Sequence, residues 1–581
     1  MTTDFTFESL DTDLLILGAG GAGLTAALHA ADRSPGLAIT VAVKGLLGRA
    51  GCTRMVQGGY NAVLASPDSF DAHLLDTLQG GAWINDQELA WTLVREAPGR
   101  VHELEARYGC FFDRHPDGRI HQKPFAGQSH DRTIHKGDLT GIEIMSRLTE
   151  QVWRRPSIRA LEECRAVELL RDDGGRVGGA LLLDIRRGEF VLVRSRATLL
   201  AMGGGPTMYR VIACSADKSS DGIALGLRAG LRARDMEMVQ FHPTGLIVPN
   251  SLMTGALLEE GLRGAGGRLL NGGGERFMER YDAARMERST RDLVARACFT
   301  EVLEGRGTPH GGVWIDVAHL GAETVEKSFK GMVKRCRDFG FDLARAPVEV
   351  GPTAHFLMGG VVIDSSCRTD VEGLFAAGED TGGVHGANRL GGNGVGESTV
   401  FGGIAGDHMA DWVVTRARPR VSPEAVAATA RRILAPLARS PREGDGLYAL
   451  QSRVRDLMWN HVGLIRTGAG LKAALAELEE LGGRVEGASV TGGSAYNLAW
   501  QDWMNLENQI MTGWLIARSA LERAESRGSH FRADCPERAG DLYNVYVGFA
   551  DANSPKVWTE PVRLTRRQPE VVGASMVEVG D

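Results

Sequence analysis

The first strong pattern along the chain is an unbroken apolar run, Asp13-Leu-Leu-Ile-Leu17, too short for a helix. It passes into Gly18-Ala-Gly20-Gly-Ala-Gly23 and then into a stretch with helical character, Leu24 to Asp32. A second apolar run, Leu37 to Lys44, follows, so the spacing predicts strand, glycine turn, helix and strand. Four glycines interrupt the apolar stretch Leu14 to Ala31 and no basic flank precedes it, which excludes a signal peptide or a membrane span there. No other segment approaches the roughly 18 consecutive apolar residues that a bilayer requires.

A second glycine-dense block, Gly373 to Gly394, predicts a strand, a turn and a helix from about Thr399. Two such blocks more than 300 residues apart point to a nucleotide-binding domain interrupted by an insertion, roughly Val239 to Pro352. Beyond residue 415 the texture is helical. Ser422-Pro423 starts one helix. The run Leu471 to Leu481 is expected to stop at Gly482-Gly483, and Trp503, Leu506, Ile510, Trp514, Ala517 and Leu521 recur at helical spacing. From Cys535 onward the chain is polar and carries four prolines, which predicts an extended tail. The fold class is therefore α/β: a Rossmann-like domain (1–238 and 353–415), an inserted α+β capping domain (239–352), a helical domain (416–535) and a C-terminal tail (536–581).

Composition sharpens this picture at three points. Glycine, 76 of 581 residues, is about twice its usual share and implies close backbone approaches. A net charge of −7 gives no positive field for nucleic acid. The eight cysteines contain no CxxC, so neither a zinc site nor an iron–sulfur cluster is expected in this chain, and no metal site is assigned. Electrons, if handled, must pass through an organic cofactor or another subunit. The glycine turn in its strand-to-helix context predicts dinucleotide binding, with the helix N-terminus facing a pyrophosphate. The second strand ends at Val43-Lys44 without the acid that a plain NAD site uses, which leaves FAD open.

Several short motifs then recur in one order. They are Gly18–Gly23, Phe241-His242-Pro-Thr244-Gly245, Asn271 to Met278, Arg291-Asp292-Leu-Val-Ala-Arg296, Pro352-Thr-Ala-His355 with Met358-Gly-Gly360, His385-Gly-Ala-Asn-Arg389, and Glu525 to Arg532. On these, over residues 12 to 535, the sequence resembles the flavoprotein subunit of the succinate dehydrogenase/fumarate reductase family, which also includes L-aspartate oxidase. The resemblance implies FAD. It places Gly18, Gly20 and Gly23 at the pyrophosphate and Lys44 on the adenosine side. Asp221 and Glu379 fall by the ribityl and ribose hydroxyls, and Asn388, Arg389 and Gly394 near the isoalloxazine.

A C4 dicarboxylate needs cations or donors at both ends, and His242 with Thr244, and His355 with Arg389, supply two anchors. Interconverting its saturated and unsaturated forms needs a hydride at one carbon and a proton at the next. The resemblance gives the proton to Arg291, relayed by Glu260 and Arg263. An arginine, with a pKa above about 12, works so only if neighbours carry its proton onward.

Three departures matter. Where respiratory members link FAD through a histidine, this chain has Cys52, followed by Thr53 and Gln57-Gly58-Gly59, so a non-covalent flavin is expected. Glu259 stands where a threonine helps hold a substrate carboxylate, and unless paired or turned away it weakens binding of a plain dicarboxylate. Asn393-Gly394 replaces the usual contact on the flavin's pyrimidine side. Lys123 to Ser129, with Phe125 in the substrate region, resembles the succinate/fumarate branch rather than the aspartate oxidases.

The leading expectation is a FAD enzyme interconverting fumarate and succinate. It would be cytoplasmic, without direct membrane insertion. A separate iron–sulfur or other electron-transfer subunit would serve it and could hold it at the inner face of the membrane. Three alternatives stay open: an L-aspartate-oxidase-like enzyme in which Glu259 meets the amino group, a dehydrogenase of another modified dicarboxylate, and a relay subunit that has lost turnover.

Overall fold

The computed structural model describes residues 7–440, 446–549 and 555–569. Its centre is a five-stranded parallel sheet in the order Leu374–Ala376, Ala197–Leu200, Leu14–Leu17, Ile39–Val43, Ile158–Glu162. Leu14 to Leu17 are buried without alternation, as a parallel strand covered on both faces must be. The turn after this strand depends on Gly18. Its φ is +108°, and a Cβ there would stand 2.1 Å from the Ala201 carbonyl oxygen.

The helix Gly21–Arg33 packs along the helix Asn393–Val413. Their backbones nearly touch, since a Cβ on Gly402 would lie 2.4 Å from the Ala22 carbonyl oxygen. This approach joins the two distant glycine-rich segments into one unit. The second helix begins at Asn393, six residues before the expected Thr399. Asn393 is held in the first turn by hydrogen bonds with Asn61 (2.8 Å) and Thr77 (3.2 Å), which substitute for the helix-favouring side chains the sequence lacks there.

The inserted segment forms an antiparallel sheet, Val239–Leu246, Val348–Leu357, Val313–Asp316, Arg268–Leu270, with its own apolar core. The helix Arg291–Leu303 packs against the strand Val239–Leu246. Four helices follow: Pro423–Ala438, Leu447–His461, Gly468–Gly487 and Leu498–Glu522.

Two expectations are corrected here. The helix thought to stop at Gly482-Gly483 runs through both glycines to Gly487, because Leu481 and Val485 on either side are buried in the helical core. That burial offsets the roughly 1 kcal/mol cost of each glycine. The C-terminal segment is not simply extended. Tyr543–Phe549 and Pro555–Pro561 pair antiparallel, and the first of them also pairs with Ala233–Arg234. Val545 and Val547, one face of that strand, are fully buried. Among the described residues no helix is long and apolar enough to cross a membrane.

Candidate active site

A cleft of about 230 Å³ runs from the glycine turn to the inserted sheet, and the strands and helices above converge on it. At one end lie Gly18, Gly20 and the N-terminus of the helix Gly21–Arg33, where Thr53 Oγ1 accepts the Gly21 N–H (3.1 Å). Lys44 and Asp221 border the same end and bind each other (2.8 Å). Arg165 also reaches Asp221 (2.8 Å), and Asn505 and Asn508 of the helical region close the group. Burial lowers the Lys44 pKa. Burial alone would raise that of Asp221, but Arg165 and Lys44 hold it far below the usual carboxylate range.

Further along, Glu379 accepts from Lys218 and from the Leu357 N–H (3.2 Å). Cys52 Sγ accepts the Ser215 N–H (3.2 Å). A hydrogen bond from Cys214, aided by Lys218 and opposed by burial, brings the Cys52 thiol down to about 7. The Gln57 amide, turned with its oxygen toward Arg335, accepts from that guanidinium (2.9 Å), while Gly58 and Gly59 line the wall.

The other end of the cleft is crowded with cations and imidazoles. The strands Val239–Leu246 and Val348–Leu357 pair there, with β-bulges flanking Phe241-His242. His242 and His355 face each other edge to face, ring centroids 5.7 Å apart. Burial, then the field of the nearby arginines, drops both pKa values well below the usual histidine range, so both rings are neutral. The Thr244 N–H donates to His242 Nδ1 (3.3 Å), which leaves that ring's proton on Nε2. His355 Nδ1 has no partner.

Arg291 is the first residue of its helix, the end that disfavours a cation. Glu260 compensates, accepting from Arg291 Nε at 2.7 Å and from the Ala126 N–H at 3.0 Å. Burial would raise the Glu260 pKa, but Arg291 and Arg263 hold it below the usual value. Arg263 Nη2 stands 4.0 Å from the same Glu260 oxygen. Arg389 lies over the Phe356 ring (4.3 Å). Burial and Arg291 bring its pKa down to about 9.

A residue the sequence pattern did not single out joins these groups. Gln240 Oε1 accepts from both Arg291 Nη1 and Arg389 Nη2, each at 3.2 Å, and its Nε2 donates to Asn388 Oδ1 and the Arg389 carbonyl (2.8 Å each). A signal for it exists, since a residue two positions before His242 on a strand belongs to the same side of the sheet. Lys123 donates to Glu259 Oε1 at 2.7 Å, so the Glu259 carboxylate does not face the cleft unpaired.

Gly18, Gly20, Lys44, Cys52, Thr53, Gln57, Asp221, Glu379, Gly394, Phe125, Glu259, Glu260, His242, Arg291, His355 and Arg389 all border this one cleft. Four predicted residues do not. Gly23 packs against the Gly18 carbonyl instead, where a Cβ would stand 2.0 Å away. Thr244 spends its hydroxyl on the Leu258 carbonyl (2.7 Å) and backs His242, Asn388 backs Gln240, and Arg263 lies behind Glu260.

The lining fits an anionic dinucleotide: a glycine floor with no side chains to fill it and a helix N-terminus that borders the cleft. Comparison with known proteins agrees. A FAD binding domain model matches residues 13–395, and a fumarate reductase flavoprotein C-terminal model matches residues 451–572. The chain belongs to the fumarate reductase/succinate dehydrogenase flavoprotein family. Its cofactor is FAD.

One subunit of the fumarate reductase (CoM/CoB) of Methanothermobacter marburgensis is 43% identical over 534 residues, covering 91% of this chain and 95% of that protein. The fumarate reductase flavoprotein subunit of Escherichia coli is 33% identical, covering 97% and 96%. A solved structure of quinol-fumarate reductase with menaquinol molecules superposes with a TM-score of 0.91 at 31% identity, over 97% of this chain and 100% of that one. Mycobacterium smegmatis Sdh1 in complex with UQ1 gives 0.87 at 37%, over 97% and 96%.

Proposed function

We propose that this flavoprotein interconverts fumarate and succinate, and that the cation-rich end of the cleft is where it does so. The observation carrying this reading is electrostatic. Arg291 and Arg389 face one buried place, with Glu260 bonded to Arg291 and Arg263 4.0 Å behind that carboxylate, a surplus of positive charge that suits a bound dianion.

His242 Nε2–H would donate to one substrate carboxylate, and Arg389 with His355 would hold the other. Arg291, kept in place by Glu260 and Gln240, would hold the proton that moves to or from the substrate carbon. Glu260 and Arg263 would replace or remove that proton, so the side chain is charged again for the next turnover. FAD, when bound, supplies and accepts the hydride.

The flavin is held without a covalent bond. Cys52 takes the place of the linking histidine, and its sulfur is engaged by Ser215 and Cys214. Acid precipitation is expected to leave all the flavin in the supernatant, and colour retained by the pellet contradicts this. The amino-dicarboxylate alternative is weakened because Lys123 already occupies Glu259, the group that would meet an ammonium. Electrons would come from a separate iron–sulfur or other redox protein on the cytoplasmic side, consistent with relatives named as subunits of larger enzymes.

The deciding experiment is anaerobic. Reduced protein mixed with fumarate should regain its oxidised flavin spectrum within the mixing experiment. Bleaching of the oxidised protein by L-aspartate, with no response to fumarate, would replace this reading with the oxidase one.

A further inference from the structure

The wall beside the cation-rich end of the cleft carries an ion pair whose two halves come from different parts of the chain. Glu259 belongs to the inserted segment. Its backbone N–H donates to Met332 Sδ (3.1 Å), and the residue before it, Leu258, donates its N–H to the Thr244 carbonyl (2.9 Å). These contacts hold Glu259 close to Thr244, which backs His242. Lys123 ends the strand Gln122–Lys123, which pairs with Thr133–Ile134 outside that segment. Its Nζ reaches Glu259 Oε1 (2.7 Å) and stands 5.5 Å from the centre of the Phe125 ring. Both Phe125 and Glu259 border the cleft.

The charge of Glu259 can act in two ways. Unpaired, it offsets part of the field of Arg291 and Arg389 that favours a dianion, and it attracts any cation that a ligand carries. Paired, it does neither. Lys123 Nζ is an ammonium at hydrogen-bonding distance from this carboxylate, so the protein itself supplies the partner that a ligand's amino group would otherwise be.

We propose that Lys123 is a specificity-determining residue which, by neutralising Glu259, reserves the cleft for C4 dicarboxylates that lack an amino group. The inference rests on the functional reading above. Lys123 acts through Glu259 and takes no part in moving hydride or proton. Two other contacts join the inserted segment to the same wall, from the Ala126 N–H to Glu260 (3.0 Å) and from Arg335 to Gln57 (2.9 Å). The cleft therefore keeps its shape when Lys123 loses its charge.

Lys123→Met keeps an unbranched side chain and removes the cation. In the FAD-loaded variant the KM for fumarate is expected to rise about tenfold or more, the scale of one uncompensated charge several ångströms from a dianion. The kcat should stay within about threefold, because the binding that is lost is shared by ground and transition states. L-Aspartate, which carries the missing ammonium, should inhibit fumarate reduction about tenfold more strongly than in the wild type. Lys123→Arg should restore both values. Adding Glu259→Gln to Lys123→Met should return the KM to within about threefold of wild type. Glu259→Gln alone should lower it, since Lys123 is then the uncompensated charge.

An unchanged KM with unchanged L-aspartate inhibition in Lys123→Met overturns the proposal. So does a raised KM that Glu259→Gln fails to correct, which is how a merely structural contact behaves. If Lys123→Met does not retain FAD, Glu259→Gln decides, and a raised KM in that variant overturns the proposal. Failure of the wild type to reduce fumarate contradicts the functional reading instead. Lys123 is then judged by titrating the oxidised flavin absorbance with succinate and with L-aspartate. A shift in preference toward L-aspartate of about tenfold in Lys123→Met supports the assignment, and no shift overturns it.

Discussion

Two regions of this molecule bury arginine and histidine, and they treat them in opposite ways. Where the long helix Leu498–Glu522 ends, Arg523 is fully buried and meets Glu237 (2.6 Å), Glu525 (2.8 Å) and Asp235 (3.2 Å). Arg527 grips Glu525 through two bonds (2.9 and 2.8 Å), and His530 bridges Arg466 (2.8 Å) and the Arg523 carbonyl (3.1 Å). Carboxylates answer Arg523 and Arg527 there, while Arg466 is held by the Val462, Gly463 and Glu237 carbonyls, and the group ties the helical region to the segment leading into the inserted sheet. At the cleft, Arg291 and Arg263 share Glu260, Arg389 rests on an aromatic face, and His355 keeps a nitrogen without a partner. A buried charge with its partner in place is architecture. A buried charge whose partner has yet to arrive marks a site.

The comparison can be broken most forcefully at Arg291. Arg291→Lys keeps a cation but loses the fork that meets Glu260 and Gln240. It is expected to lower kcat by up to about 10⁴-fold with FAD occupancy unchanged, read by steady-state kinetics and flavin absorbance. Arg523→Ala should do the reverse. Leaving Glu237 and Asp235 buried without their cation costs about 3–5 kcal/mol, seen as a lower midpoint in thermal unfolding, while the folded fraction keeps its KM. Gln240→Leu removes the acceptor shared by two like charges. Hydrogen bonds to charged groups contribute about 1.5–3 kcal/mol, so kcat/KM should fall by roughly one to two orders of magnitude.

The smallest effect is on pH. Arg389 titrates near 9 in the free protein because burial and Arg291 disfavour its charge. The cation that binds substrate is therefore present below that pH and lost above it. Substrate binding raises this pKa again, so the alkaline fall should appear in kcat/KM and be much weaker in kcat. Identical alkaline limbs in both profiles would remove Arg389 from the binding role.

Much of this is readable from the chain, for identifiable reasons. The strand, turn and helix at Leu14–Arg33 are written in local pattern, and so is the amphipathic period of Leu498–Glu522. Motif resemblance points to residues such as His242, Arg291 and Arg389. What escapes depends on distant partners. The helix start at Asn393 needs Asn61 and Thr77, the passage through Gly482-Gly483 needs the core on either side, and the C-terminal hairpin needs the edge offered by Ala233–Arg234. Glu259 looks like an anion opposing an anion because its answer, Lys123, lies 136 residues away. Gly23 and Thr244 are expected at ligands when their contacts are with the protein's own backbone.

The most direct test of the central claim is a crystal structure of the FAD-loaded protein with fumarate bound. The account predicts the two carboxylates at His242 and at His355–Arg389, with the Arg291 guanidinium within hydrogen-bonding reach of an alkene carbon on the side opposite the flavin. Fumarate bound elsewhere, or an Arg291 side chain turned away from it, would contradict the account.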